Sequence, residues 1–367
     1  MKAIRPYILG IALVAISAIL TIIADQTSWF ADWYNQAIYQ LFVTNTGRLM
    51  GAIPLPVFEL LLYFLIILII IWLTRLIIFM IGYIRKKDLR RGNGTHIRKH
   101  IKCGIIRLWN IVCILIFLFV IHCGINYQRT SFASIYGFGR DSYTIDELTT
   151  VAMRLADEVN SRSMQVERDS NGVMVFYTSN SQPVIDAMHR LSERYPSLHG
   201  YYPSPKAVLF PFILSVQQVS GIFVPFTIEA YFNGAMVGYT IPFTMAHELA
   251  HVRGFMSEDE ANFIAFLACI HSDQVELQYS GYLMGFVYVI NELNRYDRSQ
   301  AQYIMSMLRE YVRMDLAANR EFWARYDGPI AEMQDRVNDV FLQAQGVEGG
   351  ILSYNKVVDL ILSYYMR

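Results

Sequence analysis

Charged residues are scarce in this sequence of 367 residues: they make up 17% of the chain, while apolar residues make up 54%. A typical soluble domain carries about 25% charged residues. Lys plus Arg and Asp plus Glu both total 31, so the balance of charge gives no reason to expect a nucleic-acid partner. The apolar excess is concentrated in three long runs before residue 127, which indicates a membrane anchor joined to one sizeable soluble domain.

Cysteine is scarce as well, with four residues at Cys103, Cys113, Cys123 and Cys269. Their spacing offers neither a disulfide framework nor a paired-cysteine metal motif. We therefore expect all four to act as small apolar side chains in packed helices.

The three apolar runs predict three transmembrane helices, at about 7–24, 57–84 and 108–127. The first is longer than the apolar core of a usual signal peptide and no small-residue cleavage site closes it, so we interpret it as a retained span. A helix needs about 20 apolar residues to cross a bilayer, and each run approaches or exceeds that length. Residues 1–127 are therefore predicted to form the membrane anchor.

The loops between the spans predict their orientation. Nine Lys and Arg residues against a single acid lie in the loop 85–107, whereas the loop 25–55 has one basic residue, Arg48. The positive-inside rule then places the N-terminus and the basic loop in the cytoplasm, and residues 128–367 outside it. The aromatic residues of the 25–55 loop predict an amphipathic helix at the outer membrane interface.

Residues 128–367 predict an α+β domain, mostly helical with a small β-sheet. Helices are expected at about 145–161, with Thr144 as the N-cap, and at 183–195. Segments rich in β-branched and aromatic residues between 206 and 244 predict strands, with a hairpin turn at Asn233-Gly234. Glutamines, glycine and two prolines within 209–228 argue against a fourth crossing there. Helices are expected to dominate from residue 244 onward.

The sequence His-Glu-Leu-Ala-His at 247–251 is the main chemical signal. Residues four apart lie on one face of a helix, so His247 and His251 could present two imidazoles to one Zn²⁺ ion. Glu248 lies about 100° around the helix, where it could act as general base toward the water that such a metal activates. The alternative is a surface helix with two solvated histidines.

The following residues predict a second helix folded back against the first. Gly254 is well placed as a C-cap, and Ser257 with Glu260 has the spacing of a capping box. This hairpin would bring Glu258 toward His251 as the third ligand, with Glu260 as the alternative. Asn262 is expected to hydrogen-bond a ligand imidazole. Acids at a helix N-terminus are also favoured by the helix dipole in any protein.

These motifs resemble those of known peptidases. HExxH followed by Glu258, Ala261, Asn262 and Phe263 is similar to the gluzincin signature, and in particular to that of phage-repressor-cleaving peptidases. The chain also resembles an uncharacterised family of bacterial multi-pass membrane proteins classed as candidate zinc metallopeptidases. The resemblance lies in the combination of three spans with the later segments PFT, HELAH, RGF and EDEANF.

The resemblance implies a zincin-like fold for 128–367, with His247, His251 and Glu258 as Zn²⁺ ligands and Glu248 as catalytic base. Only six residues separate His251 from Glu258, fewer than in the better-studied gluzincins. Asn262 also stands where the CaaX-processing membrane peptidases have aspartate.

Two weaker assignments concern the rest of the site. Zincins usually supply a His or Tyr that stabilises the developing oxyanion, and Tyr354 is our candidate, although the chain has 24 tyrosines that could simply be packed. Glu229 and Asn233 could line a strand that binds substrate, with a solvated hairpin as the alternative.

The sequence thus predicts a multi-pass protein of the cell membrane with an extracytoplasmic zinc metalloendopeptidase domain. Its expected partners are the lipid bilayer and a peptide or protein substrate. The alternative hypothesis is a non-catalytic membrane protein with a structural or sensory zinc site.

Overall fold

Three long apolar helices dominate the N-terminal part of the protein, for which a computed structural model describes residues 5–85, 94–139, 142–345 and 356–367. The helices are α1 (Ile8–Gln26), α4 (Val57–Arg85) and α5 (Gly94–His122). Stretches long and apolar enough to cross a membrane occupy Ile8–Gln26, Val57–Arg75 and Lys102–Gln128. Their large aliphatic side chains are widely exposed, as lipid-facing side chains would be, so the structure supports association with a membrane.

The segment between α1 and α4 is helical, as predicted. It contains α2 (Ser28–Tyr34), a π-helical turn (Asn35–Tyr39) and α3 (Gln40–Gly51). Trp29 and Trp33 are exposed, but Tyr39 is completely buried and its hydroxyl donates to the carbonyl oxygen of Val252 at 3.1 Å. The segment is therefore part of the packed body that holds the His-Glu-Leu-Ala-His helix.

The remaining helices form a bundle around the long central helix α12, which packs against α7, α10 and α11. In chain order they are α6 (Phe132–Tyr136), α7 (Ile145–Arg162), α8 (Gln182–Arg194), α9 (Pro211–Ser215), α10 (Thr240–Val252), α11 (Glu258–Ile270), α12 (Val275–Tyr296), α13 (Arg298–Ser306), α14 (Glu310–Ala324), α15 (Pro329–Ala344) and α16 (Lys356–Tyr365). Nearly every side chain of α10 and α11 is buried, which makes this pair the core of the domain.

Helices α7 and α8 lie within one residue of their predicted bounds. The predicted cap of α7 is confirmed: the Thr144 hydroxyl accepts from the Glu147 N–H at 3.2 Å, and the Glu147 carboxylate accepts from the Thr144 N–H at 2.8 Å. This reciprocal pair satisfies two N–H groups that the helix itself cannot pair.

The sheet has three short strands, β1 (Lys206–Ala207), β2 (Gly221–Val224) and β3 (Glu229–Phe232), in the order β1-β3-β2. β1 is parallel to β3, and β2 is antiparallel to it. No fourth crossing occupies 209–228, because this segment holds α9 and β2.

The predicted hairpin at Asn233-Gly234 was wrong, since residues 225–228 make the turn between β2 and β3. The Asn233 side chain instead accepts from the Ala235 N–H at 3.1 Å, a local turn that leads toward α10. The segment that follows was predicted as a strand, and it contains the first turn of α10, where Pro242 is tolerated.

Glu229 does not line a substrate groove, and it is not solvated. It is buried, accepts from the Val57 and Phe58 N–H groups at 3.2 and 3.1 Å, and so caps the first turn of α4. Lys206 Nζ and the Tyr231 hydroxyl each donate to the same carboxylate at 2.6 Å. Burial raises the pKa of Glu229, but these hydrogen bonds outweigh it and hold the pKa below its ordinary value.

Candidate metal centre

Helices α10 and α11 form a tight hairpin around residues 253–257. Gly254 has a φ of +87°, and its N–H donates to the His251 carbonyl at 2.9 Å. This is the C-cap glycine that the sequence predicted, in a left-handed conformation that glycine adopts without steric cost. A Cβ at Gly254 would lie 2.3 Å from Asn35 Nδ2, so the position is also closely packed.

The hairpin brings together the three side chains predicted as metal ligands. The two Nε2 atoms of His247 and His251 lie 3.1 Å apart. Glu258 Oε2 lies 3.2 Å from His247 Nε2, and its Oε1 lies 3.6 Å from His251 Nε2. Among the described residues, these three form the only group of three or more potential side-chain metal ligands within 4.8 Å of one another.

The Nδ1 atom of each imidazole, which points away from the cluster, has a hydrogen-bond partner that orients the ring. His247 Nδ1 lies 2.9 Å from Asn262 Oδ1, the contact predicted from the sequence, and His251 Nδ1 lies 2.8 Å from the Phe255 carbonyl oxygen. In the neutral imidazole each acceptor favours the tautomer with the proton on Nδ1, which leaves a lone pair on the Nε2 that faces the cluster. The Phe255 contact was not anticipated from the sequence.

The spacing of the three side chains is compatible with a bound metal ion such as four-coordinate zinc. Zinc bonds of 2.0–2.2 Å in a tetrahedron place ligand atoms about 3.3–3.6 Å apart. The two Nε2 atoms lie 3.1 Å apart, and one Glu258 oxygen lies 3.2 Å from His247 while the other lies 3.6 Å from His251. Two histidines and one glutamate are a donor set found in catalytic zinc sites, which keep the fourth position for water or substrate. Second-shell acceptors on ligand imidazoles are also typical of such sites.

The electrostatics of the cluster favour a cation. Burial lowers the pKa of His251, but the hydrogen bond and charge of Glu258 more than offset this and raise it to about 9. Burial raises the pKa of Glu258, and both imidazoles together hold it far below its ordinary value. The carboxylate therefore stays charged among the histidines and attracts a positive charge, which is either a proton or a metal ion.

Glu260 lies outside the cluster. Its Oε1 accepts from the Ala133 N–H at 3.0 Å, so it caps the short helix α6. The predicted capping box was wrong, because Ser257 donates to Asp259 and makes no cap hydrogen bond to α11. The physical reason is that the N-terminus of α6 competes for the Glu260 carboxylate and holds it in a buried position.

Glu248 lies beside the cluster and is 3% exposed. Burial raises its pKa to about 7, although the neighbouring imidazoles and a backbone hydrogen bond from Phe223 lower it. Among the described residues, its Oε2 has no hydrogen-bond partner. A buried carboxylate oxygen of this kind is suited to accept from a ligand or a water molecule.

Strand β2 runs directly past Glu248. A Cβ at Gly221 would lie 2.5 Å from Glu248 Oε1, so the strand can approach only because this residue is glycine. On its other side, β2 pairs with no other described strand, and its Ile222 side chain is 45% exposed. The sequence analysis did not single out Gly221, although a glycine at the start of a short apolar strand is a signal for close backbone approach.

A cavity of about 670 Å³ opens onto the cluster. Its walls include β2, the segment 214–220, α15 and the end of α5, together with His247, Glu248, His251 and Glu258. The volume is within the range of small-molecule and peptide side-chain sites.

The α10–α11 turn is held by the segment between α1 and α4. The carbonyl oxygen of Arg253 accepts from Asn35 Nδ2 at 3.4 Å and from Arg129 Nη1 at 3.0 Å. The Arg253 side chain donates to Gln40 and to the His199 carbonyl. These buried contacts fix the turn that sets the distance between His251 and α11.

The remaining predicted site residues are not part of the cluster. Asn233 is completely buried and donates to Ser215 Oγ at 2.9 Å. Tyr354 lies outside the described residues, as do residues 86–93 of the basic loop.

The family described as "Protein of unknown function (DUF3810)" matches residues 34–362, which include the apolar helices α4 and α5 and the three candidate ligands His247, His251 and Glu258. No curated protein and no solved structure matches the chain. Since the match extends over most of the sequence, the protein belongs to the DUF3810 family.

Proposed function

We propose that this protein is a membrane-anchored zinc-dependent metalloendopeptidase. The observation that carries the proposal is the convergence of His247, His251 and Glu258 at 3.1–3.6 Å beside the buried carboxylate of Glu248. A structural zinc site requires only the ligands. It does not require a buried glutamate beside them with one carboxylate oxygen that has no described partner. A catalytic site needs both.

In the proposed hydrolysis the zinc ion and the side chains of the protein would have separate roles. Zinc bound here would act as a Lewis acid toward a water molecule and a peptide carbonyl. Glu248 would take the proton of that water and pass it to the leaving amine. Its place at the cavity wall and the orphaned Oε2 support this role. Asn262 and the Phe255 carbonyl would keep both imidazoles in the ligand tautomer.

The free edge of β2 would position the substrate. Extended peptides bind exposed sheet edges through backbone hydrogen bonds, and alternate side chains fill pockets. Because Gly221 leaves no side chain between β2 and Glu248, a peptide paired with β2 would pass close to the proposed base. The substrate class is therefore an unfolded or extended polypeptide segment.

The location follows from the sequence. We infer that α1, α4 and α5 cross the cell membrane, with the N-terminus and the basic loop in the cytoplasm. The metal cluster would then face the extracytoplasmic side. The expected partners are the lipid bilayer and envelope or secreted polypeptides.

The test compares the wild type with Glu248→Gln, His247→Ala and, as a matched control, Glu193→Gln at an exposed position of α8. Each variant is purified in detergent for metal analysis, and each is incubated with envelope proteins whose new N-termini are identified by mass spectrometry. We expect stoichiometric zinc in the wild type, Glu248→Gln and Glu193→Gln. New N-termini should appear only with the wild type and Glu193→Gln.

The outcomes separate the two hypotheses. Zinc in the wild type with no cleavage that depends on Glu248 would favour a structural or sensory site. Absence of zinc from the wild type, with no effect of His247→Ala, would refute both hypotheses.

A further inference from the structure

Helix α15 presents an apolar stripe to the surface. The stripe has the spacing of one helical face, and its five side chains are between 37% and 67% exposed: Ile330, Met333, Val337, Val340 and Phe341. Patches of this kind on a soluble surface are uncommon and mark interaction sites.

The other two faces of α15 have different surroundings. Glu332 and Arg336 lie on a polar face that is exposed to solvent. Gln334, Asp335 and Asn338 lie on a third face that lines the cavity of the metal cluster. A helix with one apolar and one charged exposed face is typical of helices that lie in the plane of a membrane surface.

The position of α15 places the stripe beside the proposed bilayer. The Phe341 ring lies 6.0 Å from that of Phe119 and 6.2 Å from that of Tyr127, edge to face in both cases. Both partners lie in the apolar stretch Lys102–Gln128. The stripe therefore begins next to the end of the third apolar stretch, where Phe341, Phe119 and Tyr127 also line the cavity.

A second apolar element, residues 209–213, packs against the start of α4. Leu209, Phe210, Phe212 and Ile213 are between 42% and 65% exposed. The Leu209 and Phe210 N–H groups donate to Glu59 in the first turn of α4, at 2.8 and 3.2 Å. The Phe210 ring lies 5.5 Å from that of Tyr63, one turn further along the same span. The 209–213 segment, which includes the start of α9, thus reaches past the start of α4 toward its apolar part.

The aromatic residues of α2 lie next to the ends of α1 and α5. Trp29 and Trp33 are 67% and 50% exposed, and the Tyr34 hydroxyl donates to the Ile121 carbonyl near the end of α5. Exposed tryptophans at the ends of apolar helices are typical of the membrane–water interface.

We propose that the apolar stripe of α15 and the 209–213 segment insert into the lipid surface that surrounds α1, α4 and α5. The occupant of this surface is the boundary between headgroups and acyl chains, where amphipathic helices bury their apolar face by about 5–10 Å. Acidic residues outnumber basic ones on α15, which contains Glu332, Asp335 and Asp339 but only one basic residue, Arg336. Binding therefore depends on apolar burial, not on anionic lipid.

The test uses environment-sensitive fluorophores on single cysteines in the full-length chain. A Cys103→Ser background removes the exposed cysteine and leaves three buried ones. The label is attached at Val337→Cys in one protein and at Arg336→Cys in the matched control. Each protein is placed in nanodiscs that hold one chain, made with or without lipids that carry a nitroxide near the top of the acyl chain.

We expect nitroxide lipids to reduce emission from the label at position 337 about twofold or more, and to leave the label at position 336 nearly unchanged. Labels at Val340→Cys and Ile213→Cys should behave like the one at 337. Equal quenching by aqueous iodide at 337 and 336 would overturn the proposal. Such a result would mean that the stripe is exposed to water and not to lipid. The readout needs no catalysis, so it stands apart from the test of the peptidase.

Discussion

Replacing Asn262 by alanine is expected to weaken zinc binding without unfolding the protein. Asn262 is 5% exposed on α11, and its Oδ1 is the acceptor for His247 Nδ1 at 2.9 Å. Without this acceptor the imidazole can rotate or exchange tautomers, so only part of the population presents a lone pair to the cluster. Removing such an outer contact typically costs about 10–100-fold in metal affinity. This corresponds to about 1.4–2.8 kcal/mol of binding free energy.

Asn262→Asp is the matched control, because a carboxylate keeps an oxygen acceptor in nearly the same volume. Its negative charge also makes the imidazole a better donor to a cation, so zinc affinity should equal or exceed that of the wild type. The alanine variant should lose one buried hydrogen bond, or about 1 kcal/mol of folding free energy. Asn262→Ala should therefore weaken zinc binding and Asn262→Asp should not, while both should have a small effect on folding.

The measurement is a competition titration of the detergent-purified proteins with a chromophoric zinc chelator, accompanied by thermal unfolding after metal removal. If Asn262→Ala binds zinc as tightly as the wild type, the contact does not orient a ligand. A parallel loss in both variants would mean instead that the site is sensitive to any change in packing.

Three further predictions concern stability, measured by denaturation in detergent. Glu229→Ala leaves Lys206 buried without its partner and removes the cap of α4, so it should cost about 3–5 kcal/mol; a cost below about 1 kcal/mol would contradict the burial of this pair. Burial and neighbouring acids raise the pKa of Asp359 to about 6, above its value in the unfolded chain. The contribution of this group to the free energy of unfolding is therefore complete below about pH 4, where Asp359 is protonated, and is lost as the pH rises to about 6. Asp359→Asn should therefore stabilise the protein at pH 7 by about 1 kcal/mol, after allowance for solvent screening, and should have no such effect at pH 4. Gly254→Ala should destabilise the protein more than Gly139→Ala does, because both positions have a positive φ but, of the two, only Gly254 lacks space for a Cβ. Equal costs of about 1–2 kcal/mol would show that the backbone conformation alone determines the loss of stability.

The hairpin that carries the metal cluster could be predicted because its determinants are local. The spacing of His247 and His251 fixes their common face, and Gly254 ends α10 in a conformation that few other residues adopt. Seven residues after His251, Glu258 begins the next helix, so a short turn brings it back toward the imidazoles. Each of these signals acts within about one turn of helix or one reverse turn.

The role of Glu260 could not be predicted, because its partner is remote. The Ala133 N–H that it caps lies 127 residues away in the chain. Local spacing favoured a capping box with Ser257, and a tertiary contact overrode it. The same applies to Glu229, whose four donors include two N–H groups at the start of α4.

Strand boundaries between 206 and 244 were the least accurate part of the fold prediction. The strands have only two to four residues, too few for a period-two pattern to stand out. β-branched and aromatic residues also occur in α9, where Phe212 and Ile213 are exposed, and at the start of α10, where they are buried. The approach of Gly221 to Glu248 depends on the packing of β2 against α10, which no single-sequence pattern reports.

The geometry of the cluster depends on the segment between α1 and α4. Asn35 and Tyr39 donate to carbonyl oxygens of the α10–α11 turn, and the same segment is anchored by Tyr34 to the end of α5. A displacement of α5 relative to α1 would therefore act on the turn that spaces the ligands. If the cavity rim also lies in the lipid surface, polypeptides that emerge from the same bilayer would reach the proposed peptidase more readily than freely diffusing polypeptides would. Its activity should then depend on bilayer thickness, which sets the level of that rim.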